Sequence, residues 1–346
     1  MKSKIAYGVD LGWVSQLESM GICWIDSDKN ATDPIAEAKR LGADAVRLRV
    51  FVNPPEEAFW IKPDGTKCML GFCDADSVLK MCQRVKALDM KIMIDFHYSD
   101  HFADPLYQHI PEAWISADEE ELARLVAEHT TAVLKLLTSH GIFPEWVQVG
   151  NEINPGLLLP VGSIKDAPER LVKFLNAGYD AVKECCPECK VITHVAAVLV
   201  VDIAEKFYDT FFQLGGKTDI LGLSYYPYWY GMLRKGKAYI PKSDLSPQKL
   251  KEEIKRLTDL YKKPIMIVEI GGPETEVEET YQLLLDTIDV LKEYTREHDC
   301  ESGIFYWEPE AVAQLLPDRY PLGAAQSVDD HTLQYTKVLS AYQDSK

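Results

Sequence analysis

Short apolar runs recur along the chain, and each is followed by a longer stretch whose apolar positions return every three or four residues. The runs have the form of strands buried on both faces, and the longer stretches that of amphipathic helices. This pattern predicts strands at Tyr7–Leu11, Ala45–Val50, Lys91–Tyr98, Trp146–Ile153, Val191–Val195, Ile220–Ser224, Pro264–Glu269 and Gly303–Trp307. Helices are expected from Asp33-Pro34, near Asp76–Leu88, from Ser116-Ala117-Asp118-Glu119 to about His140, and over about Ala167–Cys185. Further helices are expected at Ile203–Leu214, from Ser246-Pro247 to about Tyr261, at Val277–His298, and from about Asp329-Asp330 to the end. Asp33-Pro34 combines an N-cap with proline at the first helical position, and Gly141 stops the helix before it. The stretch holding Pro54-Pro55, Trp60 and Cys68 reads as a long loop, as does Glu308–Val328. Strand and helix alternate throughout, without a linker or low-complexity tract. The expected fold is α/β, a single (β/α)8 TIM barrel spanning residues 1–346.

The apolar strands end in polar groups. Trp146-Val147-Gln148-Val149-Gly150-Asn151-Glu152 finishes in an amide and an acid, and Pro264-Ile265-Met266-Ile267-Val268-Glu269 in a second acid. Strand alternation puts Gln148, Gly150 and Glu152 on one face. A carboxylate at such a tip is costly unless it meets water, a partner or a substrate. Asp10, Arg47 with Arg49, His97, Ser224 with Tyr226, and Trp307 also fall at or near the C-terminal strand ends, where barrel enzymes carry their chemistry. Two glutamates ending two parallel strands suit retaining glycoside hydrolysis, one as acid/base and one as nucleophile. That reading expects carboxyls about 5–5.5 Å apart, against roughly 6.5–9.5 Å for inversion. The alternative, that both are helix caps or surface acids, fits poorly with the apolar strands leading into them.

Composition narrows the partners. A 346-residue chain could hold two or three domains or one barrel with long loops, and 47% apolar residues suffice for a large core. No apolar run approaches the roughly 18 residues of a membrane span. The net charge of −17 argues against nucleic acid or an anionic membrane as partner. Met1–Gly8 has no apolar core of a secretory leader, and eight cysteines suit a reducing compartment. The expectation is a cytoplasmic protein, the alternative a secreted one whose leader has been removed. Cys185-Cys186-Pro187-Glu188-Cys189 lacks a second Cys/His pair and reads as structural. His97, His101 and Asp95 could suggest a metal, but the four-residue spacing of the histidines suits a helix and this is a strand end. No lysine ends a strand, against Schiff-base chemistry, and Gly271-Gly272 has no basic neighbour to make a phosphate cradle. No catalytic metal and no cofactor is expected, a structural calcium being left open, as is the oligomeric state.

Several stretches carry a more specific signal: Val46-Arg47-Leu48-Arg49-Val50, Asp95-Phe96-His97-Tyr98-Ser99-Asp100, Ala103-Asp104-Pro105, Val149-Gly150-Asn151-Glu152-Ile153, Gly222-Leu223-Ser224-Tyr225-Tyr226-Pro227-Tyr228-Trp229 and Phe305-Tyr306-Trp307-Glu308-Pro309. In content and order the chain resembles glycoside hydrolase family 53, the endo-β-1,4-galactanases of the clan A barrels. The resemblance implies Glu152 as acid/base, Glu269 as nucleophile, Asn151 holding the sugar 2-hydroxyl, and Arg47 and His97 supporting the nucleophile. It implies as substrate β-1,4-linked galactan, as in type I arabinogalactan, or galacto-oligosaccharides. Asp100, in the second motif, joins the supporting residues. Tyr226, Trp229 and Trp307 offer faces for pyranose rings, Trp307 at the cleavage point, with Trp60 and Trp114 either stacking or packing loops. Two features depart from the family. Glu269 is followed by Ile270-Gly271-Gly272-Pro273 instead of Thr and an aromatic-rich loop, and the calcium ligands of bacterial members have no match. Other retaining specificities of the clan, β-mannan or β-glucan, stay open, as does a carbohydrate-binding barrel without catalysis.

Overall fold

The computed structural model describes residues 4–200, 202–232 and 245–346. Met1-Lys2-Ser3, part of the stretch read for a leader, lies outside them. Eight parallel strands form a closed barrel: β1 (Ile5–Asp10), β2 (Ala45–Val50), β3 (Lys91–Phe96), β4 (Trp146–Val149), β5 (Lys190–Val195), β6 (Ile220–Tyr225), β7 (Ile265–Ile270) and β8 (Ser302–Tyr306). Each strand lies beside its neighbours in the chain, and β1 also pairs with β8. The longer helices are α1 (Pro34–Arg40), α2 (Ala75–Ala87), α3 (Glu119–Ser139), α4 (Pro168–Cys185), α5 (Ile203–Gln213), α6 (Pro247–Tyr261) and α7 (Val277–His298), with short helical segments at Val14–Ser19, Pro227–Met232 and Ala341–Asp344. The (β/α)8 expectation holds. Among the described residues no helix is long and apolar enough to cross a membrane.

The chain forms two compact units whose boundaries cut β2 after Arg47 and β6 after Leu223. The first comprises Met1–Arg47, Glu57–Phe72 and Ser224–Lys346. Inside it β1 and β8 approach so closely that a Cβ on Gly8 would lie 2.0 Å from the Phe305 ring. Tyr342, near the C-terminus, is fully buried and donates to the Gly8 carbonyl at 2.7 Å. The second unit comprises Leu48–Glu56 and Cys73–Leu223. There α4 uses Gly178 to settle on β4, since a Cβ would stand 2.6 Å from Val149 Cγ1. Caps expected from sequence are formed: Asp33 accepts from the backbone N–H groups of Ile35 and Ala36, and Ser246 from that of Lys249.

Three expectations need correction. Strand four does not run to Ile153: β4 ends at Val149, where Gly150 takes φ +83° and Glu152 φ +47°. Left-handed residues break the alternation, so Glu152 does not share a strand face with Gln148. The stretch around Trp60 is a hairpin, Phe59–Ile61 against Lys67–Met69, turned by Gly65 at φ +88°. No helix starts at Asp329-Asp330. Asp329 instead accepts from the His331 backbone at 2.9 Å and turns the chain between Ala325–Ser327 and Thr332–Tyr335. Thr332–Tyr335 alternates half-buried and buried residues and pairs with Cys23–Ile25, a strand pattern that outweighs the acidic N-cap signal.

Candidate active site

In the first unit Glu269 is the penultimate residue of β7 and almost fully buried. The guanidinium of Arg47 lies 3.0 Å from its Oε1, and the Tyr226 hydroxyl donates to Oε2 at 3.1 Å. Arg47 also reaches Asp10 Oδ2 at 2.6 Å, so one planar cation serves two buried acids. A nearby cation and a hydroxyl donor both favour an ionised carboxylate. Just past the end of β8 stands Trp307, half-buried, its ring centroid 5.2 Å from that of Trp13 and 4.6 Å from that of Tyr320. Trp229 lies 6.3 Å from Tyr320, whose hydroxyl is pushed well above the ordinary phenol range by burial. Trp13 is held from behind: Glu308 accepts from the backbone N–H groups of Gly12 and Trp13, both at 3.0 Å, and the Trp13 ring donates to Met69 O at 2.7 Å. Tyr226, Arg47 and Glu269 therefore meet, and Trp307 and Trp229 join one aromatic cluster.

The second unit carries the other polar set. Glu152, just past β4, is partly exposed, and its positive φ is a backbone cost of the kind concentrated at functional sites. Asn151 is buried, donates to Ala103 O at 2.8 Å and presents Oδ1 to Gln148 Nε2 at 3.1 Å and His194 Nδ1 at 3.0 Å. His97 lies between Asp95, 2.9 Å from its Nε2, and the Ala103 N–H, which its Nδ1 accepts at 2.9 Å. Arg49 stacks over the Phe102 ring at 4.8 Å. Asp100 accepts from the Asn53 and Glu112 backbones at 2.9 and 2.8 Å, holding a loop.

His101 meets His109 instead of His97, with 2.9 Å between their ring nitrogens, and burial lowers it to about 4. Among the described residues no group of three or more His, Cys, Asp or Glu forms a metal cage. Cys186 and Cys189 are buried thiols at the base of α4, and burial is the main cause raising both. Trp114 is buried against His129 and is a packing residue, whereas Trp60 is half-buried on its hairpin.

The glycosyl hydrolase family 53 model matches residues 6–342. The chain belongs to that family. Among its relatives is an arabinogalactan endo-beta-1,4-galactanase of Cellvibrio japonicus, 34% identical over 278 residues, covering 78% of this chain and 66% of that protein. The family 53 catalytic domain of Ignisphaera aggregans superposes with a TM-score of 0.81 at 26% identity, covering 99% of this chain and 96% of that domain. A fungal beta-1,4-galactanase shares the fold, with a TM-score of 0.80 at 22% identity over 98% of this chain and 99% of its own. As a family 53 member the chain is a glycoside hydrolase.

Sequence reasoning overlooked three residues of this family 53 barrel. His194 stands in the apolar run of β5, where a lone buried histidine was the available signal. Trp13 lies just past the end of β1, outside any periodic stretch. Tyr320 lies in a loop without periodicity, and nothing in the sequence distinguishes it.

Proposed function

We propose that the chain hydrolyses β-1,4-galactosidic bonds in galactan or galacto-oligosaccharides by double displacement. The observation that carries this reading is Glu269, a buried carboxylate held by Arg47 and Tyr226, which suits a nucleophile kept ionised. Glu152, partly exposed on its loop, suits a group that must exchange protons with water. In the first step Glu269 attacks the anomeric carbon while Glu152 gives its proton to the departing glycosidic oxygen. In the second, Glu152 takes a proton from water, whose oxygen displaces Glu269 and restores both carboxyl groups. Asn151 would hold the sugar 2-hydroxyl, and Trp307 and Trp229 would stack against sugar faces. The similarity to the Cellvibrio japonicus galactanase supports the sugar. The chemistry needs no cofactor, and the eight cysteines suit a reducing compartment. Incubation with β-1,4-galactan, β-mannan and β-glucan, followed by chromatography of the products, tests the reading. Galacto-oligosaccharides should accumulate from galactan alone; comparable hydrolysis of mannan or glucan would overturn the specificity.

A further inference from the structure

Behind Asn151 the second unit contains a chain of polar contacts that the two-carboxylate mechanism does not use. Gln148 Nε2 donates to Asp95 Oδ1 and, at 3.1 Å, to Asn151 Oδ1. Asn151 Nδ2 donates to the Ala103 carbonyl at 2.8 Å, and the Ala103 N–H to His97 Nδ1 at 2.9 Å. His97 Nε2 lies 2.9 Å from Asp95 Oδ2, an ion-pair distance without hydrogen-bond geometry, so the contacts form an open chain from Asp95 to His97. Asp95 is fully buried on β3.

The donors and acceptors along this chain can run in only one direction. A carboxylate has no hydrogen to give, so Gln148 turns its amide nitrogen towards Asp95. The second hydrogen on that nitrogen then meets Asn151, which answers with Oδ1 and sends Nδ2 to Ala103. Ala103 in turn uses the Nδ1 lone pair of His97, leaving the His97 proton on Nε2, towards Asp95.

His194 inherits this order. Its Nδ1 is 3.0 Å from Asn151 Oδ1 and 3.3 Å from the backbone nitrogen of Glu152. One ring nitrogen cannot donate to the first and accept from the second. With Asn151 Oδ1 fixed as an acceptor, the shorter contact puts the proton on Nδ1 and the lone pair on Nε2.

We propose that Asp95 is a positioning residue: its buried carboxylate orients the Asn151 amide and, through it, selects the Nδ1–H tautomer of His194 beside Glu152. The inference rests on the proposed function for the roles of Asn151 and Glu152. Asp95→Asn keeps the shape but supplies a donor; Gln148 then turns its oxygen towards that donor and Asn151 turns with it, giving up its hydrogen bond to the Ala103 carbonyl and freeing His194 Nδ1 to accept from Glu152. Nitrogen-15 NMR of histidine-labelled protein at about pH 8, where an ordinary histidine is neutral, reads the tautomer directly. The wild type should show His194 protonated at Nδ1, and Asp95→Asn should move that proton towards Nε2. A misplaced binding group costs on the order of 10²-fold, and kcat/KM on galactan should fall by about that much in the variant.

A wild-type His194 protonated at Nε2 overturns the proposal without any variant, even if Asp95→Asn does not fold. So does a folded Asp95→Asn that keeps the tautomer or the wild-type kcat/KM, which would leave Asp95 a purely structural acid. An Nδ1–H tautomer in a wild type inactive on galactan would support the ordering while removing the substrate reading.

Discussion

Arg47 Nη2 lies 3.0 Å from Glu269 Oε1, a buried ion pair between residues 222 positions apart in the chain. The same guanidinium holds Asp10 at 2.6 Å. Removing it leaves two buried acids without their shared cation. Arg47→Met should therefore cost roughly 3–5 kcal/mol of stability in urea unfolding, the range for breaking one partner of a buried pair. Arg47→Lys keeps the charge but loses the planar fork. It should retain more stability and still lose most activity. Equal stability of Arg47→Met and wild type would disprove the pairing.

The proposed nucleophile and acid/base predict different losses. Glu269→Ala should abolish turnover on every substrate. Glu152→Ala should lower turnover of galactan by roughly 10²–10⁴-fold, the usual contribution of a positioned acid, while sparing aryl galactosides whose leaving group needs little protonation. Proton NMR of the first product should show the β anomer. An α anomer, or a Glu269→Ala variant with near-normal turnover, would refute the double displacement.

Acid should destabilise the fold through two histidines, His101 buried and His129 half-buried with its Nε2 enclosed. Burial lowers His101 and His129 from 6.5 to about 4 each. Between those values the unfolded chain binds protons that the folded chain does not, so stability falls as pH drops from about 6.5 towards 4. The contribution is fully present above that window. Thermal melts across it should show a falling Tm. His129→Phe, which keeps the ring among Phe96, Tyr98 and Trp114 but cannot titrate, should flatten part of the slope. An unchanged slope would rule out His129 as a contributor.

Catalysis by two carboxylates needs no metal. Dialysis against a strong chelator should leave kcat on galactan unchanged. The loops after β7 and β8 are tied directly, Glu274 accepting from the Ala313 backbone at 2.9 Å. A loss of turnover restored by one divalent ion would contradict the expectation.

The stretch after Glu269 is short, with Gly271-Gly272-Pro273 where relatives of the resemblance carry an aromatic-rich loop. Fewer sugar-stacking faces should favour short chains. Specific activity on galactotriose to galactohexaose is expected to equal or exceed that on long galactan. A strong preference for the polymer would count against it.

The alternation of strands and helices, the barrel and the two acids at strand ends were all legible in the chain. Each depends on local periodicity: an apolar run can only be buried, and a charge at its tip must emerge at the strand's end. Family motifs such as Asp95–Asp100 and Ser224–Trp229 added the chemistry by resemblance. What local pattern could not decide was which polar groups meet. Arg47 could have paired within its own strand. Closure of the sheet instead brings it to Asp10 and Glu269, while Arg49, two residues on, stacks over Phe102. Cys23–Ile25 pairs with Thr332–Tyr335 from the far end of the chain, and no local signal encodes a partner so distant. The turn at Glu152 was hidden for another reason. Strand alternation holds only while every residue stays extended, and the left-handed φ of Gly150 and Glu152 is stabilised by tertiary contacts, not by the periodicity of the residues themselves. The order around Asp95, Gln148, Asn151 and His194 is likewise tertiary, because it arises only when the ends of β3, β4 and β5 bring their donors and acceptors together.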